Sequence, residues 1–171
     1  MKVGEVMKFI ADHMLGKLAK WLRFMGYDTL YPRNIDNIND EKIVEIASKE
    51  DRIILTRDYQ LSQTKRAKAI YIESDNLDEQ IRQVVDELNL SDEMSFTRCA
   101  ECNSFLKPIE KENIEKEKIE NIKDKIPEGV FKLQNEFYIC DTCGRIYWKG
   151  THYENIKHKL GTLFSKSKNK N

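Results

Sequence analysis

The stretch Phe9-Ile-Ala-Asp-His-Met-Leu-Gly-Lys-Leu-Ala-Lys-Trp-Leu-Arg-Phe-Met-Gly26 decides the fold of this chain. The apolar run that precedes Asp12 predicts a buried strand, and a helical pattern begins directly after Asp12. Its apolar stripe consists of Leu15, Leu18, Ala19, Leu22 and Met25. Gly26 stands where a helix commonly ends. Asp12 is therefore expected at the carboxyl end of a strand, in the crevice where open α/β sheets bind ligands.

Charged residues accompany this strand and helix. Lys17, Lys20 and Arg23 fall on one face of the predicted helix, beside Asp12. A carboxylate in such a crevice attracts a metal or a proton, and the neighbouring cations suit a polyanion. Two plainer interpretations stay open: Asp12 is an N-cap, because Asp is favoured there, and the cations are a solvated helix face.

Composition limits the possible functions. The chain has 171 residues, enough for one sizeable core or for a domain and a small module. The formal net charge is zero, so any binding of nucleic acid must come from local patches. The sequence contains neither an apolar run of membrane-spanning length nor a signal-peptide pattern, which predicts a cytoplasmic protein with no membrane partner.

Strand and helix patterns alternate along the first half of the chain. Strands are predicted at about 6–12, 28–31, 53–56 and 69–72, and the principal helices at about 14–25, from 39 onward and at 77–88. Such alternation is typical of a parallel sheet with right-handed crossovers. The predicted fold class is therefore α/β, with helices flanking a parallel sheet.

Three acids are predicted to meet at the carboxyl edge of this sheet. Asp12 and Asp58 each follow a strand, and Asp40 opens a helix that can face the same edge. Clustered carboxylates repel one another unless a cation neutralises them, and hard oxygen ligands suit Mg²⁺ or Mn²⁺. The alternatives are that Asp40 is an N-cap and Asp58 a turn residue.

Four cysteines form two pairs, Cys99-Ala-Glu-Cys102 and Cys140-Asp-Thr-Cys143. Four thiolates at this spacing favour a closed, structural zinc site over disulfides, with a redox pair as the alternative.

The charge run between the pairs, residues 111–125, is predicted to be a solvated helix or a mobile excursion. We predict a first domain at 1–92, a zinc ribbon at 93–160 and a basic, disordered tail at 161–171.

The run Arg145-Ile-Tyr-Trp-Lys-Gly-Thr-His-Tyr153 follows the second cysteine pair. Aromatic and basic residues alternate in it, and Trp148, Lys149 and His152 are candidates for stacking bases and holding phosphates. The alternative is that Tyr147 and Trp148 pack over the zinc site. His152 and His158 are possible further ligands, although four cysteines already complete a site.

Three runs together resemble the Mut-seven C-terminal ribonuclease domain, a compact branch of the PIN-like nucleases. They are the run from Ile10 to Asp28, Asn39-Asp-Glu-Lys-Ile-Val-Glu-Ile-Ala47 and Arg52-Ile-Ile-Leu-Thr-Arg-Asp58. The cysteine pairs and Tyr147-Trp-Lys-Gly-Thr-His152 match the zinc ribbon that ends that domain. The resemblance covers about residues 8–160.

The resemblance implies a ribonuclease in which Asp12, Asp40 and Asp58 bind Mg²⁺ or Mn²⁺, with Asp36 as a possible fourth acid. Lys17, Lys20, Arg23 and Arg57 would hold RNA phosphates, and the ribbon would position single-stranded or looped RNA. The alternatives are a non-catalytic RNA-binding or ribosome-associated adaptor and, with less support, a toxin-like PIN module.

Overall fold

A four-stranded parallel sheet is the centre of the computed structural model, which describes residues 7–34, 38–90, 97–116 and 120–167. The strand order is β2-β1-β3-β4, and every neighbouring pair is parallel. The strands are β1 (Lys8–Ala11), β2 (Asp28–Leu30), β3 (Arg52–Thr56) and β4 (Ala69–Tyr71). These bounds lie close to those predicted, and the α/β class is confirmed.

Helices cover both faces of the sheet. They are α1 (Gly16–Phe24), α2 (Asp40–Glu50), α3 (Tyr59–Ser62) and α4 (Leu77–Leu88). Leu22 of α1 and Val84 of α4 share one core with Phe9, whereas Ile43 of α2 packs with Ile10 on the opposite face. This division follows from the alternation of side chains along a strand.

The chain between β1 and α1 differs from the prediction. A short 3₁₀ turn at His13–Leu15 separates Asp12 from α1, so the helix begins later than the apolar pattern indicates. The reason is local, because the Asp12 side chain accepts a hydrogen bond from the backbone N–H of Met14 and tightens this first turn.

A second, antiparallel sheet follows in the order β5-β6-β7. Its elements are β5 (Lys107–Glu110), α5 (Lys111–Lys116), α6 (Glu120–Lys123), α7 (Glu128–Leu133), β6 (Glu136–Ile139) and β7 (Ile146–Tyr147). We call residues 97–116 and 120–150 the ribbon unit. The charge run is not simply solvated, since Ile114 and Ile126 are buried against Phe131 and Phe137.

The last helix, α8 (Thr151–Ser167), returns to the parallel sheet. Leu163 and Phe164 are buried in the same core as Leu22 and Val84. The predicted disorder from residue 161 is therefore wrong as far as residue 167, and residues 168–171 lie outside the described residues. Disorder was predicted because the segment is basic overall, and two apolar residues within it are enough to pack it on the core.

Candidate active site and cysteine metal centre

Asp12 follows β1 and is only 5% exposed. Its Oδ1 accepts a hydrogen bond from Met14 N at 2.8 Å, and its Oδ2 accepts one from Arg57 N at 2.9 Å and one from the Thr56 hydroxyl. The N-cap interpretation is therefore confirmed. A carboxylate offers about four acceptor positions, so these three bonds leave one position on Oδ1 for another group.

Asp58 follows β3 and caps α3 with a single oxygen. Its Oδ1 accepts hydrogen bonds from Gln60 N at 2.7 Å and from Leu61 N at 3.1 Å, while Oδ2 accepts none from the described residues. The backbone N–H of Asp58 donates to Thr56 Oγ1 at 2.9 Å, and this hydroxyl in turn donates to Asp12. Thr56, the last residue of β3, therefore links the two acids.

Asp40 is the first residue of α2 but does not cap it. Asn39 is the N-cap, accepting a hydrogen bond from Lys42 N at 2.9 Å, so the cap interpretation of Asp40 is wrong. The exposed Asp40 carboxylate has no hydrogen bond or ion pair within the described ranges. It lines a groove of about 410 Å³ that continues along α3 to Arg66.

The three acids lie at one edge of the sheet, but their oxygens do not all approach within 4.8 Å of one another. Asp36 lies outside the described residues. Mg²⁺ keeps several waters and is commonly held by only one or two protein carboxylates. The unused oxygens of Asp12, Asp40 and Asp58 therefore fit a hydrated hard cation, without requiring that all three contact it.

Two of the predicted helix cations are exposed and one is not. Lys17 and Lys20 face solvent, and Lys20 forms an ion pair with Glu101. Arg23 is only 2% exposed, so its predicted contact with RNA phosphates is wrong. Periodicity placed Arg23 on the basic face, but the ribbon unit covers that position. Arg57, at the end of β3, is half-buried, and its guanidinium has no partner in the described chain.

Arg23 instead joins the two sheets. Its Nε donates to Thr29 O at 2.8 Å, and its Nη1 donates to Ala100 O at 3.1 Å and to Glu101 O at 2.7 Å. Burial lowers the pKa of Arg23, although the nearby cysteines and Glu101 oppose that shift. One planar guanidinium thus donates the hydrogen bonds of three backbone carbonyls, one on β2 and two on the first cysteine pair.

The four cysteines lie together and are unpaired by disulfides. Their sulfurs all lie within 4.8 Å, with Cys99 and Cys143 3.5 Å apart and Cys102 and Cys140 3.3 Å apart. Tetrahedral zinc with Zn–S bonds of about 2.3 Å separates its sulfurs by about 3.8 Å, so a small expansion accommodates the ion. The cysteines are therefore positioned to bind a metal.

Each cysteine pair belongs to a knuckle, which we define as residues 99–104 and residues 140–145. The N–H of Asn103 bonds to Cys99 O at 2.9 Å, and the N–H of Gly144 bonds to Cys140 O at 2.8 Å. Both residues have a left-handed backbone, with φ of 71° and 68°. Gly and Asn tolerate this conformation best, which explains their place after the second cysteine of each pair.

The aromatic run after the second knuckle divides into two roles. The Tyr147 hydroxyl lies 3.1 Å from Cys99 Sγ, so packing against the cysteines is confirmed for Tyr147. Trp148 and His152 line a cavity of about 270 Å³ between the ribbon unit and α1. Lys149 lies 5.3 Å from the Tyr138 ring and 3.3 Å from the Glu136 carboxylate, which restrains but does not bury it.

The comparison with family models agrees with this arrangement. The model described as the Mut7-C RNAse domain matches residues 7–160. The chain belongs to the Mut7-C RNAse domain family. The matched segment of this Mut7-C RNAse domain includes the parallel sheet, the acids at its edge and all four cysteines. Curated proteins and solved structures, compared in the same way, gave no match.

Family membership indicates a nuclease that acts on RNA. In the described part of this Mut7-C RNAse domain, no helix combines the length and the apolar character needed to cross a membrane. Sequence reasoning missed the residues that hold the site together, namely Thr56, Asn39 and Asn103. The sequence contains only a weak indication of these roles, because each is a small polar residue beside a charged residue or a cysteine to which a function was assigned instead.

Proposed function

We propose that the protein is a divalent-metal-dependent ribonuclease whose active site is the carboxylate edge formed by Asp12, Asp40 and Asp58. The observation that carries this proposal is the unused acceptor capacity at that edge. Counting partners among residues 7–34, 38–90, 97–116 and 120–167, Asp12 keeps one acceptor position, Asp58 keeps an entire oxygen, and Asp40 keeps its whole carboxylate. Capping alone uses a single oxygen, so what favours a metal-binding use of the remaining acceptor positions is that the chain belongs to a ribonuclease-domain family.

The chain's own residues have separate tasks in this mechanism. Thr56 and Arg57 N–H fix the Asp12 carboxylate, and Thr56 also holds the backbone of Asp58. The free Oδ2 of Asp58 and the carboxylate of Asp40 would hold Mg²⁺ or Mn²⁺ or its waters. When bound, the ion supplies positive charge for the scissile phosphodiester and makes a water more acidic. Arg57, which follows β3 and is half-buried, would hold a flanking phosphate.

The remaining candidates are assigned to RNA placement and to structure. We propose that the cysteines bind zinc, which fixes the two knuckles. Lys17 lies in a groove of about 810 Å³ with His13 and Arg33, beside the carboxyl edge of the sheet. Lys20, Trp148, Lys149 and His152 are proposed to contact RNA further along, where the ribbon unit meets α1.

A non-catalytic RNA-binding adaptor is the second candidate function. The observation that favours it is that the three carboxylates do not all lie within 4.8 Å of one another. An adaptor would keep the basic groove and the cavity beside Trp148, and it would bind RNA without turning it over.

The deciding experiment is incubation of the zinc-loaded protein with a mixed pool of unstructured RNA in Mn²⁺, in Mg²⁺ and in buffer to which neither ion is added, with the zinc content checked to be the same in all three. The ribonuclease proposal expects new RNA ends in Mn²⁺ or Mg²⁺ and none without either ion. Intact RNA in every condition, together with retention of RNA in a filter-binding assay, would instead establish the adaptor.

A further inference from the structure

Two tyrosines at the carboxyl edge of the sheet are exposed without a role in the fold. Tyr59 is 66% exposed and Tyr71 is 40% exposed. Their rings meet edge to face, with centroids 6.0 Å apart, and neither hydroxyl has a hydrogen-bond partner among the described residues. Exposed apolar surface that is clustered, and not scattered, often marks a binding site, and two adjoining aromatic rings suit a ligand with a flat apolar face.

The sheet register places Tyr71 in line with the proposed acids. Thr56 of β3 is the register partner of Tyr71 on β4, and the Thr56 hydroxyl bonds to Asp12 on the other side. Ile70 packs into the core beneath α1 and α4, so Tyr71 points to the opposite face, where α2 and Asp40 lie. Neighbouring strands are about 4.8 Å apart, which puts the backbone of Tyr71 about 10 Å from that of Asp12.

Tyr59 completes the pair from the next element. It follows Asp58 directly at the start of α3, whose Leu61 is buried against the sheet. In an edge-to-face pair, one ring uses only its edge and the other only one of its faces. Flat surface therefore remains available on both rings.

We infer that Tyr59 and Tyr71 form a stacking platform for an unpaired base of the RNA, next to the phosphate that the acids would address. The inference rests on the proposed function and adds to it a binding subsite for one unpaired base, on the side of the acids where α3 and β4 lie. Base stacking on aromatic side chains accepts every base, because every base has a π-face. A paired base is already stacked within its helix, so duplex RNA would not use this platform.

The test measures binding by the zinc-loaded protein without added Mg²⁺ or Mn²⁺, so that its result does not depend on cleavage. The probes are a short fluorescein-labelled oligouridylate, the same backbone with its central bases removed, and a duplex of equal length. Wild type should lose at least about fivefold in affinity when the bases are removed, because stacking contributes about 1–3 kcal/mol per base. Tyr59→Ala and Tyr71→Ala should bind the complete oligonucleotide more weakly and lose this preference for bases.

Control variants separate stacking from folding and from charge. Tyr59→Phe and Tyr71→Phe keep the ring and should bind like wild type. Phe105→Ala removes another exposed aromatic, 69% exposed on the ribbon unit, and should leave the preference for bases unchanged. Unchanged thermal unfolding of Tyr59→Ala would show that the variant is folded.

Three results would overturn the inference: equal affinity of wild type for the complete and base-free probes, an undiminished preference in both alanine variants, or duplex binding as tight as single-strand binding. Absence of cleavage in Mn²⁺ with an intact preference for bases would refute the ribonuclease proposal alone. Failure of the platform and failure of the catalytic site are therefore distinguishable.

Discussion

The side-chain amide of Asn103 donates a hydrogen bond to the carboxylate of Asp28 across 2.8 Å, joining the first knuckle to strand β2. Arg52 and Arg98 approach the same carboxylate at 2.6 Å and 3.3 Å, and Asn103 also accepts a bond from Thr29 N at 3.0 Å. The ribbon unit is therefore docked on the parallel sheet through a network of buried and partly buried polar groups, in addition to apolar packing.

This junction should weaken in acid. Burial alone would raise the pKa of Asp28, but hydrogen bonds from Arg52 and Asn103 and the charges of Arg52 and Arg98 hold it below its ordinary value. A carboxyl with a depressed folded-state pKa stabilises the protein above its unfolded pKa, and that stabilisation is lost as the pH falls through the folded pKa. We expect Asp28→Asn to lower the free energy of unfolding most near neutral pH.

Urea unfolding between about pH 7 and about pH 3 measures this effect, and the difference between wild type and Asp28→Asn should shrink below about pH 4. Asp86→Asn, at an exposed position on α4 without a described partner, is the matched control and should show no such trend. A difference that stays constant with pH would contradict the assignment.

Arg23→Lys should destabilise the protein although it keeps the charge. A lysine cannot satisfy the three carbonyls that the guanidinium reaches, and buried acceptors left unpaired are costly. We expect a loss of about 2–4 kcal/mol in the free energy of unfolding. Lys17→Ala on the same helix is exposed and should change it by no more than about 0.5 kcal/mol. Equal unfolding midpoints for the two variants would contradict the junction described here.

Loss of zinc should reach beyond the ribbon unit. Cys140→Ser removes one ligand, and the knuckle that holds Ala100 and Glu101 against Arg23 loses its restraint. We expect less than one zinc per chain by elemental analysis, and faster amide exchange in α1 and β2 as well as in the ribbon unit. Thr142→Ser, between the two ligands of the second knuckle, is the control. Unchanged exchange in α1 would show that the two units fold independently.

The sequence predicted the elements that repeat a strong local pattern. The apolar stripe of α4 and the alternation of strands and helices predicted the parallel sheet, and cysteine spacing predicted the cluster of four cysteines that is positioned to bind a metal. The path of α8 was missed because two buried residues, Leu163 and Phe164, lie within a basic segment. Local composition does not reveal which distant surface a short apolar pair will cover.

The sequence predicted the acids of the candidate site but not the residues that hold those acids in position. Asp12 and Asp58 were predicted because each follows a strand. The Thr56 hydroxyl reaches Asp12 only because of the register between β1 and β3, which local sequence does not show. Arg23 was misjudged for a related reason, because helical periodicity defines a face but does not say whether another unit covers it. Contacts between elements remote in sequence decided both cases.

RNA binding should depend on the cations that remain accessible. We expect Lys17→Ala combined with Arg57→Ala to weaken binding to all RNA sequences alike and to reduce the slope of log affinity against log salt by about 2. Arg23→Lys should leave that slope unchanged, because Arg23 is buried. Fluorescence anisotropy over a salt titration measures both variants. A reduced slope for Arg23→Lys alone would place the RNA near the junction instead.

Asp58→Asn is the sharpest test of the catalytic site. Asp12→Asn is ambiguous, since each oxygen of Asp12 accepts a backbone N–H, from Met14 and from Arg57, so the amide NH₂ would face a donor in either orientation. That variant should be destabilised whether or not a metal binds. Asp58 caps α3 through Oδ1 alone, so Asn can keep both cap bonds and lose only the charge and the free oxygen.

We therefore expect Asp58→Asn to keep its melting temperature without metal, within the small change typical of an Asp-to-Asn cap, and to lose Mn²⁺-dependent cleavage of RNA. Mn²⁺ should also raise the melting temperature of wild type more than that of the variant, because binding to the folded state alone stabilises it. Asp86→Asn should behave like wild type in both measurements. Since the cap survives the substitution, undiminished cleavage by Asp58→Asn would mean that this carboxylate serves only the helix and that the active site lies elsewhere.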